Sequence, residues 1–258
     1  MTAPSAAAGP FRDGFETGRL DPERWIPAYL PQWTTPERSA AQYRFEDGRL
    51  VLEIDSATEP WCPEHDGAVR VSSIQTGVRS GPVGSGDGQH RFADGVRVIT
   101  EQAARQLYTP RFGRIAVRAS AIADPRAMVA LWMIGFEDSP DDSGEILVME
   151  IFGRDVAPRR AVVGMGVRPH HDPRLLDGFT RVPLGLDVTQ PHDYAVTWRP
   201  DGITWRVDGE AVLESDQAPH YSMQLMLGLY AFEAVRPSEP PLRFVVERVH
   251  GDPLEAAA

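Results

Sequence analysis

The chain reads as an all-β protein, a sandwich of two antiparallel sheets, and three observations lead there. Eight Asp-Gly dipeptides punctuate it, beginning at positions 13, 47, 66, 87, 94, 177, 201 and 208; between alternating segments, Asp-Gly supplies the positive-φ pair that a tight hairpin needs. Several strand-length runs are apolar at nearly every position, as strands covered on both faces require. No long segment carries its apolar residues at a helical period.

In chain order, residues 43–45 and 50–54 flank Asp47-Gly48 as one hairpin, and 194–198 and 203–207 flank Asp201-Gly202 as another. Further strands are expected at 115–122, 128–136, 145–152, 161–168, 223–232 and 242–249. Residues 100–108 could open as a helix capped by Thr100, but an irregular strand fits better because no amphipathic period follows. Residues 56–95, rich in Gly, Pro and Ser, read as a loop-rich insertion, either a functional lid or a plain surface loop. Residues 1–10 read as a disordered tail, and 1–258 as a single domain without internal repeats.

Composition narrows the function. At 258 residues, with 42% hydrophobic and 24% charged, the chain can bury a sizeable core. A net charge of -11 without a basic patch argues against nucleic acid and against an anionic membrane surface. All 26 basic residues are arginine, and neither lysine nor asparagine occurs. That excludes a Schiff-base lysine, a phosphate-loop lysine and an Asn-linked glycosylation acceptor. Cys62 is the sole cysteine, so no internal disulfide can form. Met1 to Pro10 lacks the charged and apolar regions of a secretion signal, which makes a cytoplasmic location the expectation.

The most informative stretch is Gly144-Glu145-Ile146-Leu147-Val148-Met149-Glu150-Ile151-Phe152-Gly153. It sets two carboxylates five positions apart inside an apolar run. Ionised groups in low dielectric are disfavoured unless paired or used, so Glu145 and Glu150 are candidates for acid/base or nucleophilic work; ion pairs with arginines, or a solvated sheet face, are the bland alternatives. In a regular strand Glu145 and Glu150 would face opposite sides. A bulge between Leu147 and Glu150 would restore them to one side, and without it they could not act on one bond.

Several short segments, in consistent order, resemble glycoside hydrolase family 16, the laminarinase and lichenase relatives. Phe11-Arg12-Asp13-Gly14-Phe15 with Leu20-Asp21-Pro22-Glu23-Arg24-Trp25 looks like the family's opening strand, and Phe112-Gly113-Arg114-Ile115-Ala116-Val117-Arg118 like its "YGRFEAR" segment. Ala130-Leu131-Trp132-Met133 sits where the family has "PAFWML". His192-Asp193-Tyr194-Ala195-Val196-Thr197-Trp198, followed by Asp201-Gly202-Ile203 and Val207-Asp208-Gly209, is similar to its "HxYxxxW...DGI...VDG" hairpin. The resemblance implies a concanavalin A-like jelly roll and a retaining mechanism, with Glu145 as nucleophile and Glu150 as general acid and then base. The family's strand carries Glu-x-Asp-x-x-Glu in its bulged form; here Leu147 replaces the aspartate. Leucine excludes water and disfavours the ionised nucleophile, so ordinary glucanase activity is expected to be weak or absent.

Around the pair, Trp132 and Trp61 are candidate stacking platforms for a sugar ring, with core packing as the alternative for each. Leu147 forms an apolar wall and His170 a polar rim. His170-His171-Asp172 lacks a third ligand at a convincing spacing, so no metal and no cofactor are expected. Glu137, Asp138, Asp141 and Asp142 read as a solvated turn. Three functions remain open: a family-16-like hydrolase or transglycosylase on a β-glucan-type or other glycosylated substrate, a cytosolic enzyme using the glutamates for cyclisation or isomerisation of a small apolar metabolite, and a non-catalytic carbohydrate-binding protein.

Overall fold

The computed structural model describes residues 9–254, so the expected tail falls, for residues 1–8, outside the described residues. Among the described residues the strands gather into two large antiparallel sheets, of eight and seven strands. The first runs Glu210–Ser215, Gly202–Val207, His192–Arg199, Gly113–Ser120, Leu242–Asp252, Arg49–Ile54, Tyr43–Glu46, with Phe11–Asp13 also paired to Leu242–Asp252. The second runs Val156–Ala157, Arg160–Arg168, Glu145–Phe152, Ala127–Gly135, Met223–Ala231, Arg70–Gln75, with Thr180–Leu184 also paired to Arg160–Arg168. This is the jelly-roll sandwich that the sequence implies. The Asp-Gly reading has a backbone basis: Asp47 and Gly48 have φ of 49° and 72°, and Asp208 and Gly209 49° and 89°, as primed hairpin turns require.

Two apolar layers explain the unbroken hydrophobic runs. Val129, Leu131 and Met133 and, beside them, Leu225, Leu227 and Leu229 point between the sheets, where they meet Val117, Val196 and Phe244. The alternate residues Met128, Ala130, Trp132, Met226 and Tyr230 point the other way, under a cover that includes Tyr29, Leu30, Trp33, Trp61, Val96 and Val98. Ala127–Gly135 and Met223–Ala231 are therefore buried at every position. It is this covered outer face of the second sheet that holds the acidic pair.

Two expectations need correction. Residues 56–95 are not loop throughout: Pro63–Asp66 is a helical turn and Arg70–Gln75 is the outermost strand of the second sheet, pairing with Met223–Ala231. Its alternation is concealed because Ser72, Ser73 and Gln75 are polar yet fully buried, Ser73 donating its hydroxyl to the Leu227 carbonyl. Within 100–108 only Arg105–Gln106 is extended, paired with Gly77–Val78.

Candidate active site

The strand Glu145–Phe152 contains the bulge on which the site depends. Against Ala127–Gly135, Leu131 pairs with Met149 and Trp132 with Leu147, so Val148 is extra; against Arg160–Arg168, Glu150 pairs with Gly164 and Leu147 with Gly166. Val148 and Met149 both turn into the inter-sheet core. Glu145, Leu147, Glu150 and Phe152 thus share the outer face and line one cleft of about 290 Å³.

Two features hold the irregularity. The indole of Trp205, on the opposite sheet, donates to the Leu147 carbonyl at 2.7 Å, and both residues are buried. A carbonyl displaced from a regular ladder is thereby satisfied, where leaving it bare would cost about 1–3 kcal/mol. On the neighbouring strand Gly166 has φ of 133°, a conformation that side-chain-bearing residues rarely adopt, and a Cβ there would lie 2.3 Å from the Gly178 carbonyl oxygen.

Burial dominates the electrostatics. Desolvation pushes Glu145 up to about 7, with Arg168 pulling it back and Glu150 and Asp177 adding to the rise. Glu150 is also raised, chiefly by burial, but Arg168, Arg181 and Arg154 all act to lower it. Glu145 is the more enclosed of the two and meets less of this positive field, so burial raises its affinity for a proton with less opposition.

Two imidazoles face Glu145. His90 Nδ1 and His170 Nδ1 lie 3.6 Å and 3.9 Å from its Oε1, and the rings stack with centroids 4.4 Å apart and planes 15° apart. Burial drives His90 well below its ordinary range and His170 down to about 4, so both are neutral at pH 7. Among the described residues, His90, Glu145 and His170 are the one group close enough to suggest a metal ion. Their ring planes argue against it: lone pairs lie in the plane, and an ion midway between two nearly parallel stacked rings would sit well out of both.

The other anticipated residues separate. Trp132 lines the cleft and donates its Nε1 hydrogen to the Tyr230 hydroxyl at 3.0 Å. Trp61 is brought to the same region but is only 1% exposed, packed against Tyr29 and Phe92. Its indole donates to Asp66 at 2.6 Å, so it supports the cleft wall and offers no open face for stacking. His171 contacts the Arg91 carbonyl, and buried Asp172 accepts from the Tyr221 hydroxyl and pairs with Arg174, which anchors the segment presenting His170. Glu137 does not lie in a solvated turn; it is buried and accepts the His90 N–H at 2.6 Å. Cys62 is buried, its thiol pushed up to about 11, which leaves it unreactive. His90 and Asp66 also line the cleft and were not anticipated.

Residues 103–237, more than half of the chain, match the family described as glycosyl hydrolases family 16. The chain belongs to that family. Among solved structures, the likeness in fold extends over nearly the whole length. A GlcNAcα1-4Gal-releasing endo-β-galactosidase from Clostridium perfringens is similar at 28% identity and a TM-score of 0.81, covering 97% of this chain and 64% of that one. The chain thus spans just under two thirds of that relative. A lichenase derived from a mouse hindgut metagenome (18% identity, 95% and 100% covered, TM-score 0.62) and a laminarinase from Flavobacterium sp. UMI-01 (16%, 94% and 98%, 0.63) share the fold. No curated protein sequence matches the chain significantly. No helix among the described residues is long and apolar enough to cross a membrane.

Glu137 gives a first expected result. Burial pushes it up to about 8 from an ordinary 4.5, so the folded state holds its proton more tightly than the unfolded chain does. The associated stability is complete below about pH 4.5 and is lost as pH rises through 8. Glu137→Gln keeps an acceptor for His90 and removes the titration. Thermal melts from pH 5 to 8.5 should show the wild-type midpoint falling by roughly 5–10 °C more than that of the variant.

Proposed function

We propose that the protein is a retaining endo-glycosidase acting on a β-galactosidic bond within a larger saccharide. The carrying observation is the bulge that sets Glu145 and Glu150 on one face of one cleft. In the first step the Glu145 carboxylate attacks the anomeric carbon while the bond to the leaving oxygen breaks, and Glu150 gives that oxygen its proton. In the second, Glu150 takes a proton from water as the water oxygen displaces Glu145, which leaves as a carboxylate. Such chemistry uses carboxyl groups about 5–5.5 Å apart. The galactosidic bond is favoured over a glucan because the endo-β-galactosidase resembles this chain over 97% of its length at the higher TM-score.

The raised proton affinity of Glu145 is a handicap for this sequence of steps, because attack needs that group ionised. A Leu147→Asp side chain would share the cleft face and, keeping its own proton, donate a hydrogen bond that favours the ionised form of Glu145. On the best substrate of a panel of β-galactosidic and β-glucosidic oligosaccharides, Leu147→Asp is expected to raise kcat/KM at least about tenfold, worth ~1.4 kcal/mol in the barrier. Equal activity in both proteins would refute the handicap. Inverted anomeric configuration in the first product, read by proton NMR, would refute the two-step mechanism. The apolar wall of Leu147, Phe152 and Trp132 favours a second reading, acid-assisted isomerisation of a small apolar metabolite; release of a shortened saccharide excludes it.

A further inference from the structure

We propose that the stacked imidazoles of His90 and His170 position Glu145 through their ring nitrogens, doing from two loops the task for which position 147 offers no polar group. The inference rests on Glu145 being a working carboxylate, as the reading above has it. Both Nδ1 atoms face the same oxygen, Oε1, from just beyond hydrogen-bond length. Catalytic hydrogen bonds are often this long in an empty site and tighten when substrate is bound. His90 Nδ1 is buried without a hydrogen-bond partner, so its capacity is reserved for the carboxylate before it.

The backbone supports a dedicated placement. His90 and His170 have φ of 51° and 49°, in the left-handed region that costs a side-chain-bearing residue of order 1 kcal/mol or more. Each is held there. The His90 N–H is fixed by Glu137, while the neighbouring Gln89 side chain bonds the Phe136 carbonyl and Gln224. His170 is fixed by its neighbours, the His171 N–H donating to Ser143 and Asp172 bonding Tyr221. The Trp132 ring meets His90 edge to face, 5.0 Å between centroids, and limits its rotation.

Neutral imidazole suits the task because, with hydrogen on Nδ1, it donates to the carboxylate without bringing another charge into the cleft. In the two-step mechanism Glu145 alternates between carboxylate and ester, and a donor at Oε1 favours both the attacking and the departing carboxylate. The other charged or titratable groups acting on Glu145 are Arg168, Glu150, Asp177 and, from the cover, Tyr29.

The test reads the carboxyl group directly. In protein carrying 13C-labelled glutamate side chains, the Glu145 resonance is assigned by its loss in Glu145→Gln and followed from pH 4 to 9. Removing a donor to the charged form should raise the titration midpoint by ~1 pH unit in His90→Leu and in His170→Leu. His90→Gln, which retains an N–H donor, should restore at least half of the shift. On an identified substrate the Leu variants should lose kcat about tenfold with KM unchanged. Unmoved midpoints in both Leu variants would overturn the proposal. If His90→Leu fails to fold, His170→Leu carries the same two outcomes. Because the titration needs no substrate, a wild-type protein inactive on every saccharide would refute the glycosidase reading and leave this result standing on its own.

Discussion

Glu150→Gln is expected to leave saccharide binding intact and to lower turnover by at least about 10³-fold, the upper part of the range for a general acid and base. The glutamine is nearly isosteric and still fills the cleft beside Gly164, so a loss in binding is not the expected route. Glu145→Gln should be as severe or worse, since it removes the nucleophile and no covalent intermediate can form. The stability effect runs the opposite way. Burial raises both carboxyl groups, which means that the folded state disfavours their charged forms. Above pH 7 each neutral amide should therefore melt at a temperature equal to or higher than that of the wild type. Turnover, calorimetric binding and melting measured together separate this from a structural role, in which activity and stability would fall in parallel. Binding retained by a wild type that never turns over would leave a carbohydrate-binding protein.

Gly166→Ala should be the most destabilising single-methyl change in the site, by about 3 kcal/mol or more. It combines a forbidden backbone conformation with a backbone clash. The added carbon would lie 2.3 Å from the Gly178 oxygen and 2.9 Å from Phe179 Cα, and main-chain atoms have little freedom to move. Gly164, two residues earlier on the same strand, gives the contrast. A Cβ there would meet the Phe179 ring at 2.8 Å and Glu150 Oε1 at 3.2 Å, both ends of movable side chains. Gly164→Ala should thus fold with a stability loss of about 1 kcal/mol while displacing Glu150 and reducing kcat tenfold or more. Equilibrium denaturation paired with turnover checks both. Similar profiles for the two variants would mean that the bulge is not what separates structure from activity here.

Much of this was legible in the chain. The hairpin at 47–48 followed from Asp-Gly with positive φ at both residues, a turn repeated at 208–209, whereas the hairpin expected at Asp201-Gly202 turns one residue earlier, at Pro200-Asp201. The five-residue spacing made a bulge the condition for a shared face, and the register of Glu145–Phe152 meets that condition. The strand Arg70–Gln75 escaped because its buried positions carry serine and glutamine, paired internally, so its hydrophobic pattern is blank where a sheet edge is covered. His90 and Asp66 escaped for another reason. Each reaches the cleft from an irregular segment, where no period relates position in sequence to position in space. Trp61 shows the converse error: an aromatic ring in a glycine-rich segment suggested a platform, whereas its indole N–H and both flanking rings commit it to the wall.

The cross-layer bond from Trp205 to Leu147 gives the paired glutamates a mechanical dependence on the whole sandwich. It fastens at the carbonyl midway along the pincer, and Val148 and Met149 plug directly into the interior beneath. The reach between the two acidic tips is therefore governed by the thickness of the protein at that spot. Altering the volume of the filling there would retune the jaws without altering any atom that meets the substrate.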